Sequence, residues 1–69
     1  MTAIPLLLNG EPRELPAAMS VAELLSREGL AGRRVAVERN GEIVPRSRHG
    51  DTRVEAGDRI EIVIAVGGG

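Results

Sequence analysis

Two Asn-Gly dipeptides, Asn9-Gly10 and Asn40-Gly41, constrain the fold more than any other feature of this sequence. The dipeptide is typical of two-residue hairpin turns, because both central positions of such a turn take a positive φ. The first dipeptide joins the apolar run Ile4–Leu8 to a predicted partner strand, Glu11–Leu15. Since Pro12 has no amide proton to donate to a sheet, this partner strand is predicted to lie at a sheet edge.

The second Asn-Gly dipeptide predicts another pair of strands. Residues 34–39 alternate in polarity before the turn, and residues 42–44 follow it. The polar residues 46–52 are then predicted to form a loop.

A short helix is predicted between the two hairpins. Ser20 and Glu23 have the spacing of a capping box, in which each side chain accepts a hydrogen bond from the other residue's backbone. Gly29 is predicted to end the helix. The apolar face of this helix consists of Val21, Leu24 and Leu25.

The last predicted strand spans residues 59–66 and is rich in Ile and Val. The residues predicted to share its helix-facing side are Ile60, Ile62, Ile64 and Val66. The order of elements predicts an α+β domain of the β-grasp type. One helix would cover a mixed sheet of four or five strands, with the first and last strands paired in the middle.

Composition excludes several kinds of chemistry. The 69 residues contain no cysteine, so they offer no thiol nucleophile and cannot hold a persulfide. The absence of aromatic residues and a net charge of −1 argue against a nucleic-acid partner. Ser47 and His49 form no catalytic motif, and no metal-ligand or nucleotide-binding spacing is present. We therefore expect no enzyme activity, no bound cofactor and no metal. With neither a signal peptide nor a membrane span, the expected location is the cytoplasm.

The sequence closes on three glycines, and the candidate functional group is the α-carboxylate of Gly69. Residues 1–66 are predicted to form the domain, and Gly67 and Gly68 to belong to a flexible tail of residues 67–69. Three extended residues reach about 10 Å, and without Cβ atoms they fit a narrow passage. Val63 and Ala65 make the outer side of the last strand apolar beside the tail, which predicts a partner-docking surface there.

These features together resemble the ThiS family, the sulfur carriers of thiamine biosynthesis. The resemblance covers essentially the whole chain and lies in residues 35–42 (Val-Ala-Val-Glu-Arg-Asn-Gly-Glu), residues 57–62 (Gly-Asp-Arg-Ile-Glu-Ile) and the closing Gly68-Gly69. The diglycine is shared with all ubiquitin-like carriers, whereas the Glu-Arg-Asn-Gly-Glu segment at this length narrows the resemblance to ThiS. Many members carry an aromatic residue where this chain has His49.

The resemblance implies a carrier that is modified by partner enzymes. A ThiF-type enzyme would adenylate Gly69 using ATP, and sulfur from a persulfide donor would displace AMP. The resulting thiocarboxylate would deliver sulfur to the thiazole synthase ThiG. The same tail and fold serve molybdopterin synthesis and tRNA thiolation, so these duties stay open as alternatives. A β-grasp binding module whose glycines are incidental is a further alternative, from another class. The sequence does not identify the sulfur donor or the oligomeric state.

Overall fold

Both Asn-Gly turns form as predicted in the computed structural model, which describes residues 3–65. φ is 51° at Asn9 and 82° at Gly10, and 53° at Asn40 and 85° at Gly41. Positive values at both central positions match the type I′ hairpin turn. The elements are β1 (Ile4–Leu8), β2 (Glu11–Leu15), β3 (Met19–Ser20), α1 (Val21–Arg27), β4 (Val35–Arg39), β5 (Glu42–Val44), a 3-10 helix η1 (Arg46–Arg48), β6 (Arg53–Val54) and β7 (Arg59–Ile64).

Five of these strands form one mixed sheet in the order β2-β1-β7-β4-β5. β7 lies at the centre, parallel to β1 and antiparallel to β4. The predicted central pairing of the first and last strands is therefore confirmed. β2 is an edge strand, as Pro12 predicted.

The helix is held at both ends by the local sequence. Glu23 N donates to Ser20 Oγ at 3.0 Å, and Ser20 N donates to Glu23 Oε1 at 2.9 Å, which confirms the capping box. At the other end, Gly29 N donates to the Ser26 carbonyl at 3.1 Å and Leu30 N to the Leu25 carbonyl at 2.8 Å. This pair of bonds is a Schellman closure, so a helix of 7 residues is terminated on both sides.

Replacing the capping side chain should destabilise the domain by about 1 kcal/mol. Ser20→Ala removes the acceptor for Glu23 N and leaves a first-turn amide without its partner. Urea unfolding monitored by far-UV circular dichroism would measure the loss. Ser26→Ala is the matched control, because Ser26 is exposed within the same helix. Equal unfolding midpoints for the two variants would contradict the role of the cap.

The core lies between α1 and the inner face of the sheet. From the helix it takes Val21, Leu24 and Leu25, and from β7 it takes Ile60 and Ile62. Ile64 departs from the prediction, because it is 39% exposed although it shares the face of Ile60 and Ile62. It lies at the end of β7, paired with the partly buried Val35 at the start of β4. Val66, the fourth residue predicted for this face, is outside the described residues.

The segment predicted as a polar loop, residues 46–52, is more ordered than its composition indicates. It contains η1 and a turn, and it brings β6 against β3 as a second, two-stranded sheet that the sequence pattern missed. Val21 N donates to the Thr52 carbonyl at 2.8 Å and Ala22 N to the His49 carbonyl at 2.9 Å. The segment thus supplies acceptors for amides of the first helical turn, which have none within the helix.

His49 corrects the interpretation of this segment as polar surface. Its side chain is buried, and Nε2 donates to the Val44 carbonyl at 3.1 Å. The imidazole therefore satisfies a backbone acceptor next to the core. A single histidine between arginine and glycine residues carries no periodic signal of burial, so sequence patterns could not reveal this role.

Candidate functional site

The candidate site lies at the C-terminal end of β7. Ala65 N donates to the Arg34 carbonyl at 2.9 Å, which continues the pairing of β7 with β4 by one residue beyond Ile64. The predicted tail, with Gly67, Gly68 and Gly69, falls outside the described residues. What the structure provides is the anchored end of the strand from which these residues continue.

The surface beside this end is apolar and exposed, as predicted. Val63 is 64% exposed, and its partner across the sheet is the exposed Ala36. Ala65 is exposed as well. Within residues 3–65, no loop of the chain covers Val63 or Ala65. Docking of a partner at Val63 and Ala65 stays a prediction.

We call the side of the five-stranded sheet that faces away from α1 the outer face. Ile43 on β5 adds a second large apolar side chain to it, 63% exposed. Glu38 on β4 lies between, because its Cα partners are Ile43 on one side and Glu61 of β7 on the other. The outer face near the tail thus combines apolar side chains with two carboxylates.

The opposite end of β7 is fixed by a buried carboxylate. Asp58 is 6% exposed and accepts bonds from Arg39 Nε at 2.7 Å and from Arg39 Nη2 at 3.3 Å. It also accepts from Asn40 Nδ2 at 3.0 Å and from Glu55 N at 2.8 Å. Burial alone would raise the pKa of Asp58, but these hydrogen bonds and the Arg39 charge outweigh it and hold the pKa below its usual value.

The two hairpin asparagines also bind β7. Ile62 N donates to Asn9 Oδ1 at 2.7 Å, and Arg59 N donates to Asn40 Oδ1 at 2.8 Å. The turns that organise the hairpins therefore supply acceptors to the central strand from both sides. Sequence reasoning explained these asparagines by their backbone conformation and missed their side-chain role, for which local patterns carry no signal.

The two segments that carry the family resemblance, residues 35–42 and 57–62, contact each other through the hydrogen bonds of Asp58. Arg39 and Asn40 belong to one segment and Asp58 to the other, and they are joined by the bonds described above. Their contacts stabilise the start of β7, at the end opposite the candidate site. These residues are therefore structural supports of the strand that leads to the tail.

Other chemistries find no support in the described part of the chain. Residues 3–65 contain no group of three His, Cys, Asp or Glu side chains placed to hold a metal ion. Among the same residues, no helix is long and apolar enough to cross a membrane. His49 Nε2 is directed at the Val44 carbonyl while Ser47 is exposed, so the structure does not join them as a nucleophile and base.

Comparisons with known proteins agree with the observed fold and indicate the family to which the chain is similar. A model described as the ThiS family matches residues 6–69. The crystal structure of the thiamine biosynthesis protein ThiS from Geobacter metallireducens has a TM-score of 0.83 at 36% identity. It covers 96% of this chain and 100% of its own. This likeness confirms the predicted β-grasp, ubiquitin-like fold.

Two relatives differ in how much of them the chain covers. A thiazole synthase of Paramagnetospirillum magneticum is 50% identical over 64 residues, which are 93% of this chain but 20% of that protein. The ycf40 protein of Porphyra purpurea is 32% identical over 66 residues, 96% of this chain and 93% of that protein. The chain therefore spans about a fifth of the thiazole synthase and nearly the whole of ycf40.

Proposed function

Because the chain belongs to the ThiS family, we propose that it is a sulfur carrier of thiamine biosynthesis that holds sulfur as a thiocarboxylate at Gly69. The observation that carries the proposal is the family match, which extends from residue 6 through Gly69. The 36% identity to a solved ThiS over nearly the whole chain supports it. The cytoplasmic location expected from the sequence stays a prediction.

The proposed chemistry needs enzymes outside this chain. A carboxylate is ionised at neutral pH and is a poor electrophile, so it must first be activated. An adenylating enzyme of the ThiF type would join the Gly69 carboxylate to AMP from ATP and release pyrophosphate. The terminal sulfur of a persulfide then attacks the acyl carbon and displaces AMP, which joins Gly69 to the donor through an acyl disulfide. A second thiol outside these residues would cleave the S–S bond, forming a disulfide and releasing the Gly69 thiocarboxylate. Since these 69 residues contain no cysteine, the persulfide must lie outside them.

The proposed acceptor of the sulfur is thiazole synthase. Proteins named thiazole synthase in Paramagnetospirillum magneticum and Magnetococcus marinus contain a segment that matches this chain at 50% and 42% identity. This supports a functional link between a domain of this kind and thiazole formation. In the proposed role the carrier contributes no active site, and its tail is the substrate in each step.

Intact mass spectrometry tests the carrier proposal directly. The protein would be incubated with ATP, the adenylating enzyme, a persulfide donor and a thiol reductant. Exchange of one oxygen for sulfur at Gly69, located by fragmentation, is the expected result. An unchanged mass would favour a β-grasp binding module instead. Reconstituted thiazole formation, compared with tRNA thiolation and molybdopterin synthesis, distinguishes the pathways. If the protein supports tRNA thiolation or molybdopterin synthesis but forms no thiazole, the result would contradict a role in thiamine biosynthesis.

Val63→Asp should weaken partner docking without unfolding the domain. Val63 is 64% exposed, so a charge there costs the free protein little. Burying a valine side chain at an interface contributes roughly 1.5–3 kcal/mol, so we expect KM of the adenylating enzyme for the carrier to rise about tenfold or more. Ala17→Asp, exposed on the connection between β2 and β3, is the control. Equal KM values for the two variants would show that Val63 lies outside the docking surface.

A further inference from the structure

The outer face holds two carboxylates directly opposite each other. Glu38 on β4 and Glu61 on β7 are Cα partners in the antiparallel ladder. Side chains at such positions have Cβ atoms about 4.5–5.5 Å apart, and like charges there destabilise the sheet. We therefore expect the pair to lower the stability of the isolated domain.

No salt bridge within residues 3–65 compensates this pair, and the nearest basic residue on the same side of β7 is the exposed Arg59, two positions before Glu61. Among residues 3–65, the salt bridges join Arg13 to Glu28 and Arg39 to Glu55 and Asp58, and none reaches Glu38 or Glu61. Neither carboxylate is among the side-chain hydrogen bonds of these residues. Glu28, Glu55 and Asp58 thus have arginine partners, whereas the facing carboxylates of Glu38 and Glu61 have none among the described residues.

The surroundings of the pair are apolar on two sides. Val63 follows Glu61 on the same side of β7, and Ile43 lies across from Glu38 on β5. Both apolar side chains are more than 60% exposed, at 64% and 63%. A protein that packed against them would remove water from the carboxylates as well. Buried carboxylates are tolerated at an interface only when they are paired with a cation.

We propose that the outer face docks the adenylating enzyme through a basic side chain that binds Glu38 and Glu61 together, with Val63 and Ile43 packed around it. An arginine fits this position best, because its planar guanidinium can donate to two carboxylates at once. The inference rests on the proposed function and adds the chemistry by which the partner recognises the carrier. The four residues after Ala65 span about 13–14 Å when extended, so an enzyme docked here would hold its active site within that distance of the sheet.

The proposal predicts opposite effects on stability and on binding. Glu61→Gln keeps the shape of the side chain and removes the repulsion, so the urea midpoint of the free protein should rise. The same variant should raise KM of the adenylating enzyme for the carrier about tenfold in ATP–pyrophosphate exchange and weaken its dependence on salt. Glu38→Gln should behave in the same way. A residue that served only the fold would not lose binding while gaining stability.

Glu11→Gln is the matched control, because Glu11 is exposed on β2 and lies opposite the buried Leu8, on the α1 side of the sheet. Its KM and salt dependence should equal those of the unaltered protein. If the Glu61 and Glu38 variants also keep the unaltered KM, the inference is overturned while the carrier proposal stands. If these variants are adenylated normally but support less thiazole formation, the inference is also overturned, because the outer face would then dock thiazole synthase instead of the adenylating enzyme. If the unaltered protein supports no exchange at all, the proposed function fails, and this inference fails with it.

Discussion

Deletion of Gly69 is expected to abolish sulfur loading while leaving the free energy of unfolding unchanged. The deletion shortens the tail by one residue and withdraws the terminal carboxylate by about 3.3–3.6 Å. Misplacement of a reacting group by only about 1 Å can cost roughly 100-fold in rate, so adenylation should fall below detection. The sequence predicts that Gly69 belongs to a flexible tail, and the described part of the core reaches along β7 to Ile62. ATP–pyrophosphate exchange and intact mass would measure the loss, and urea unfolding would test the fold.

Gly69→Ala is the companion to this deletion, because it keeps the length of the tail and adds a single methyl group. The deletion variant should be inactive whether or not the passage into the partner is narrow. The alanine variant should lose activity only if the added Cβ is excluded there. If the deletion variant is loaded with sulfur at the same rate as the unaltered protein, Gly69 is not the residue that carries the sulfur.

Asp58→Asn is expected to destabilise the domain by about 2–3 kcal/mol. It removes a buried charge that accepts from Arg39, Asn40 and the Glu55 amide. Removing one partner of a fully buried pair costs roughly 3–5 kcal/mol, but Arg39 is 30% exposed and can regain water, which lowers the cost. A domain of this length has a total stability of roughly 3–10 kcal/mol, so the variant loses a large share.

The unfolding midpoint in urea measures this loss, and Asp51→Asn, in an exposed turn, is the control. Similar midpoints for the two variants would show that the Asp58 network contributes little. Loss of sulfur loading in Asp58→Asn at a temperature where it remains folded would contradict a purely structural role.

The same carboxylate predicts how stability depends on pH. Because the pKa of Asp58 is lower in the folded than in the unfolded state, its contribution is complete above the unfolded value of about 3.9. The contribution is lost as the pH falls from there through the folded pKa. Unfolding measured across this acidic range should show a shallower decline for Asp58→Asn than for the unaltered protein. Parallel declines would assign the acid sensitivity to other groups.

Local signals predicted the parts of this fold that depend on neighbouring residues. The Asn-Gly turns fixed two hairpins and their registers, and Ser20 with Glu23 marked the start of the helix. Each of these features is complete within a few residues, so the sequence shows it directly.

The contacts that were missed join residues distant in sequence. β3 and β6 pair Met19 with Val54, and Asp58 meets Arg39 across 19 positions. Each partner looks ordinary by itself: Asp58 reads as part of a turn and Met19 as the residue before a helix. The facing of Glu38 and Glu61 was hidden for the same reason, since it follows from the register of β4 against β7.

The central position of β7 also bears on the kinetics of folding. β7 is the last strand among residues 3–65, and it pairs with β1 through Leu7 and Arg59, which are 52 positions apart in the sequence. Contacts of such long sequence separation slow folding, because a large loop must close before they form. During synthesis, β1 and β4 have no common neighbour until β7 has been made. A nascent chain can therefore complete this sheet only after β7 has emerged from the ribosome. Folding of the domain thus requires the strand that leads to the tail.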